Sequence, residues 1–137
     1  MQSVILKIAG RHFLRILVII SVVVLYIGHN LPGGGFIGGL ILGSAFVIYA
    51  MAFGVDETRS ALRFDPLAFI AIGLLLALAS GLFALLSGQT FLTGQWFELF
   101  PNSTFALKLG TPLLFDVGVY FTVAGMLTLV VFSIKEE

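Results

Sequence analysis

Residues 16–55 read ILVIISVVVLYIGHNLPGGGFIGGLILGSAFVIYAMAFGV, a stretch without a single Asp, Glu, Lys or Arg. A helix rises about 1.5 Å per residue, so it needs about 20 apolar residues to cross a hydrocarbon core about 30 Å thick. The stretch is twice that length and therefore long enough for two spans. It is cut in the middle by Gly28-His29-Asn30-Leu31-Pro32-Gly33-Gly34-Gly35, a strong helix breaker. Two further charge-free runs follow, over 66–97 and 117–134. Together they predict four transmembrane helices over about 10–29, 36–55, 66–87 and 112–134, in one domain over 1–137. The runs are continuous rather than alternating, which favours helices over a β-barrel.

Composition agrees. Hydrophobic residues make up 59% and charged residues 10%, with seven basic and seven acidic side chains and zero net charge. Soluble domains carry about 25% charge, so this chain has too little to cover a water-facing surface. Disorder and a basic nucleic-acid binder are excluded as well. Without cysteine there is no disulfide framework, thiolate metal site or cysteine nucleophile. The fold class is an all-α membrane protein.

Orientation follows from the basic residues. With four spans, Lys7, Arg11, Arg15, Arg59, Arg63 and Lys135 share one face and only Lys108 lies on the other. Both termini are therefore expected in the cytoplasm. The first apolar run leads into His29-Asn30-Leu31-Pro32 without a small-x-small cleavage pattern, so it reads as an uncleaved helix rather than a signal peptide. Lys7, Arg11 and Arg15 recur at i, i+4 and i+8 and form one stripe. That stripe either snorkels into the headgroup layer or pairs with another subunit.

Residues 88–111 are too many for a plain connector. They carry Phe91, Trp96, Phe97, Phe100 and Phe105. Such aromatics settle at membrane interfaces, which predicts an interfacial or re-entrant segment between the third and fourth spans.

Gly35, Gly39 and Gly43 recur every four residues, as do Gly34 and Gly38. Small residues at this spacing let helix backbones approach closely, so these five positions read as a packing face. A phosphate-cradling loop does not fit, because no Lys-Ser/Thr follows. Gly73, Ala77 and Gly81 repeat the pattern more weakly. A broken backbone beside His29 and Asn30 has two readings. The pair either caps the first helix or contributes to an ion path, since freed carbonyls at membrane depth coordinate ions and histidine relays protons. Asp116 is the one acid inside a span. It is either an ion-handling group or a carboxylate held by the helix dipole near an N-terminus. No second buried acid and no lysine in a span centre accompany it. One chain alone thus lacks a route for protons or Na+, and no catalytic set, metal cluster or cofactor motif supports an enzyme.

The glycine-rich motif from His29 to Leu40, followed by Gly110-Thr111-Pro112-Leu113-Leu114-Phe115-Asp116-Val117-Gly118-Val119-Tyr120, resembles the MnhB/MrpB family, one of the small subunits of the Mrp-type multisubunit Na+/H+ antiporters. The resemblance covers essentially the whole chain. It implies a multi-pass component of a hetero-oligomer in a bacterial cytoplasmic membrane, with the other antiporter subunits, lipid, Na+ and H+ as partners. Such assemblies export Na+ against protons and support pH homeostasis, while the main proton channels lie in larger subunits. On this view the glycine stripe is a heteromeric packing face, and His29, Asn30 and Asp116 are candidates for an ion path. The competing readings are a small self-contained homodimeric exporter and a purely structural scaffold.

Overall fold

The computed structural model describes residues 4–28, 34–99 and 107–136. Four long helices are present: α1 (Val4–Gly28), α2 (Gly34–Phe53), α4 (Pro66–Leu86) and α5 (Thr111–Glu136). Each is long and apolar enough to cross a bilayer. A short helix α3 (Val55–Leu62) links α2 to α4, and two strands, β1 (Trp96–Leu99) and β2 (Leu107–Gly110), precede α5.

The helix ends follow from local chemistry. Gly54 adopts φ +94°, which allows the sharp turn from α2 into α3. The buried Thr58 hydroxyl donates to the Gly54 carbonyl at 2.6 Å and closes the turn. Arg63 ends α3 in the left-handed region, with its N–H on the Arg59 carbonyl. Asp65 then caps α4, its carboxylate accepting from Leu67 N–H at 3.0 Å, with Pro66 at the first helical position. Val55, Thr58 and Leu62 turn inward on α3 while Asp56 and Glu57 stay exposed. α1 starts six residues before the expected position 10, so Lys7 is carried on the helix rather than ahead of it.

The spans form a row in the order α1, α2, α5, α4. Contacts along the seams fix their directions. α1 runs antiparallel to α2, with Gly28 beside Gly34 and Gly10 beside Ala52. α4 runs antiparallel to α5, with Gly73 beside Gly118 and Gly125 beside Phe69. α2 and α5 run parallel, with Gly35 against Asp116, Gly39 against Tyr120 and Gly43 against Leu127. The core lies along this central seam: Leu42 and Phe46 of α2 meet Tyr120, Ala124 and Phe132 of α5, and Leu62 of α3 joins them. α1 and α4, at the ends of the row, leave long apolar faces uncovered within the chain.

Every glycine of the stripe in α2 is buried. A Cβ at Gly39 would lie 2.8 Å from the Tyr120 carbonyl oxygen, and one at Gly38 3.0 Å from that of Ser21. One at Gly118 would lie 2.6 Å from the Gly73 carbonyl oxygen. The stripe expected to receive a partner subunit is thus occupied by α1 and α5 of the same chain. The geometry explains why: only a helix without side chains on that face lets two neighbours reach its backbone.

Gly39→Leu and Gly118→Leu should therefore prevent the spans from docking and remove most of the monodisperse protein recovered by size-exclusion chromatography. Gly94→Ala is the comparison, since its Cβ would meet nothing nearer than Pro112 Cγ at 3.4 Å. Equal recovery of all three variants would refute the backbone-contact account.

Candidate functional site

Of the residues singled out by sequence for an ion path, Asp116 lies where α2 and α5 begin, and His29 and Asn30 lie outside the described residues. Asp116 is the sixth residue of α5 and partly exposed. Its backbone rests against Gly35, the second residue of α2. Because α2 and α5 are parallel, their N-terminal ends lie side by side, and each end carries about half a positive charge. The first turn of α2 contains no acid of its own. Two positive helix ends thus lie beside the backbone of Asp116, the one acid in the membrane-spanning stretches.

The free donors at the start of α5 are few. Thr111 N–H donates to the Gln95 carbonyl at 2.9 Å, and Pro112 has no N–H. Gln95 N–H donates in turn to Thr111 Oγ1 at 2.9 Å, and Ser80 Oγ donates to the buried Thr111 carbonyl at 2.7 Å. This knot ties the strand pair and α4 to the head of α5. The strands pair antiparallel, with Trp96 opposite Gly110, and the register sets Lys108 across from Glu98.

One turn below Asp116 lies a polar pair that sequence reading missed. Tyr120 Oη and Ser21 Oγ are 2.9 Å apart and buried, joining α5 to α1 across the glycine face of α2. Ser21 Oγ also donates to the Val18 carbonyl at 2.7 Å, so Tyr120 O–H is the donor between them. The room for the ring comes from Gly38, where a Cβ would lie 3.1 Å from it. A signal was available: Ser21 is one of only two polar residues in 16–28, and Tyr120 follows Asp116 by four residues.

The described part of the aromatic segment folds back onto the membrane helices. The Phe91 ring lies on Gly81, five residues inside the end of α4, and Phe97 meets Phe83 edge-on at 5.9 Å. Gly81 therefore accommodates this segment, whereas Gly73 and Ala77 face Gly118. Phe100 and Phe105 lie outside the described residues.

Comparison with known proteins places this arrangement. The family model described as a domain related to the MnhB subunit of Na+/H+ antiporter matches residues 5–129. The Na+/H+ antiporter B subunit of Alkalihalophilus pseudofirmus is 37% identical, covering 99% of this chain and 94% of that protein. The protein of the same description from Bacillus subtilis is 34% identical over 99% of this chain and 95% of its own length. Among solved structures, a chain of the Mrp complex from Dietzia sp. superimposes with a TM-score of 0.77 at 31% identity. That match covers 94% of this chain and 14% of the much longer Dietzia chain. The chain accordingly belongs to the family of domains related to the MnhB subunit of Na+/H+ antiporters.

Proposed function

We propose that this chain is a non-autonomous subunit of a multisubunit Na+/H+ antiporter, working with the other subunits of an Mrp-type complex in a bacterial cytoplasmic membrane. The observation that carries the proposal is the scarcity of ionisable groups inside the open row of spans. A transporter acting alone needs a chain of such groups across the bilayer. Here the spanning stretches hold a single carboxylate, Asp116, set near one end. The uncovered apolar faces of α1 and α4 suit lipid or neighbouring subunits.

In this reading Asp116, with His29 and Asn30, borders an ion path formed at the contact with a partner, at the end of the bundle where α2 and α5 begin. The parallel helix ends beside Asp116 support a charged group there. The Ser21–Tyr120 pair one turn deeper holds three helices in register beneath it. Both termini face the cytoplasm, a reading supported by the gathering of Lys7, Arg11, Arg15, Arg59 and Arg63 at the opposite end. Residues 88–111 then form the interfacial or re-entrant segment on the outer side, supported by the Phe91 contact with Gly81. Export of Na+ against protons by the complex would serve pH homeostasis.

Asp116→Asn should lower Na+/H+ exchange by inside-out vesicles about ten-fold or more while the complex is recovered at normal yield, a loss of the size a positioned ionisable group supplies. Full exchange in the intact variant complex would leave the chain a scaffold. A stable homodimer that exchanges cations alone in liposomes would overturn the subunit reading altogether. Tyr120→Phe should cost only about 0.5–1.5 kcal/mol in SDS-driven unfolding, because Ser21 keeps its bond to Val18 and membrane hydrogen bonds contribute little net stability. A loss several times larger would show that the pair does more than set register.

A further inference from the structure

At the end of the bundle remote from Asp116, a hollow of about 190 Å³ is lined by Lys7, Ile8, Arg11, His12 and Phe53. We propose that it is a binding site for the phosphate of an anionic phospholipid.

Three observations carry the proposal. The first is depth. Counted from Gly28, about 20 helical residues bring α1 to the far boundary of the hydrocarbon core near Ile8. Lys7 and Arg11 therefore sit where lipid phosphates lie. The second is unanswered charge. Asp56 and Glu57, the carboxylates closest in sequence to Phe53, are exposed on α3. Among the described residues no carboxylate forms an ion pair with Lys7 or Arg11.

The third is shape. Gly10 lets α1 close on Ala52, which brings Arg11 over the Phe53 ring at 5.7 Å from its centroid. The ring holds the guanidinium at the mouth of the hollow, where its planar donors suit a phosphate. His12 contributes a wall: its Nδ1–H is held by the Ile8 carbonyl at 2.9 Å. Deeper along α1, the exposed Ile16 and Ile19 offer an apolar track for acyl chains. A headgroup phosphate with its tails meets both halves of this surface, whereas a soluble anion meets only the first.

The probe is phosphatidylglycerol, titrated into the full-length protein in detergent and counted by native mass spectrometry, with phosphatidylcholine as the zwitterionic comparison. The intact chain should retain phosphatidylglycerol in preference. A basic residue that contacts a lipid phosphate contributes about five-fold. Arg11→Gln should thus weaken retention about five-fold, and Lys7→Gln with Arg11→Gln about 25-fold. Arg63→Gln, at the same end but outside the hollow, should leave it unchanged. Elution like the parent protein establishes folding, and Lys7→Gln alone carries the comparison if Arg11→Gln fails it. An equal loss in Arg63→Gln would overturn the site in favour of a general basic field, as would full retention in the double variant. Displacement by millimolar inorganic phosphate would reassign it to a free anion. If the assembled complex excludes the lipid and Arg11→Gln weakens assembly instead, a partner's carboxylate fills the hollow.

Discussion

The structure depends on the approach of the backbones of α2 and α5. In water, helices are driven together by burial of apolar side chains. In lipid that force is absent, because the acyl tails are as apolar as leucine. What remains is dispersion between closely fitted atoms and the few polar contacts that lipid cannot supply. Gly35, Gly39 and Gly43 provide the fit by letting α5 come up against the α2 backbone at those three positions. Gly38 opens the same helix toward α1 and admits the Tyr120 ring. A single helix thus carries contacts on two sides, which is why α2 is the most buried of the four spans.

Polar contacts are few and sit at the joints. The buried hydroxyls of Thr58 and Thr128 fold back onto carbonyls of their own chain, at Gly54 and Ala124, and bridge nothing. Among the described residues, only Tyr120–Ser21 and Ser80–Thr111 tie one span to another by buried side-chain bonds. They sit on opposite flanks of α5. Together they fix its height relative to α1 and α4, and with it the height of Asp116. Arg59 lies over the Phe132 ring at 5.0 Å and caps the other end of the seam.

The four spans were legible because missing charge is a strong signal when it persists over the length of a bilayer crossing. The glycine period was legible too, since four-residue spacing has one meaning on a helix. Their partners were not. On a helix apolar all round, periodicity does not say which face meets protein and which meets lipid. The stripe therefore looked ready for another subunit when α1 and α5 already filled it. α3 was hidden because Asp56, Glu57, Arg59 and Arg63 dominate a stretch whose inward face is only Val55, Thr58 and Leu62. The strand pair was hidden behind its aromatics, which read as interfacial whatever their backbone does. Asp116 was found as an acid out of place, but the second helix end beside it arises from the parallel α2–α5 seam. No local pattern encodes that seam.

The seam also divides the chain in time. α1 with α2, and α4 with α5, are antiparallel neighbours that follow one another along the chain, and each pair can settle as soon as it has entered the bilayer. α2 and α5 are far apart in sequence and run the same way, so they meet only after synthesis of the last span. The protein is in effect two hairpins with a late weld. A defect in the weld would leave every span inserted with its topology intact, yet Asp116 would lose the neighbouring helix end. Such a chain would look correctly placed in the membrane and still lack the proposed site.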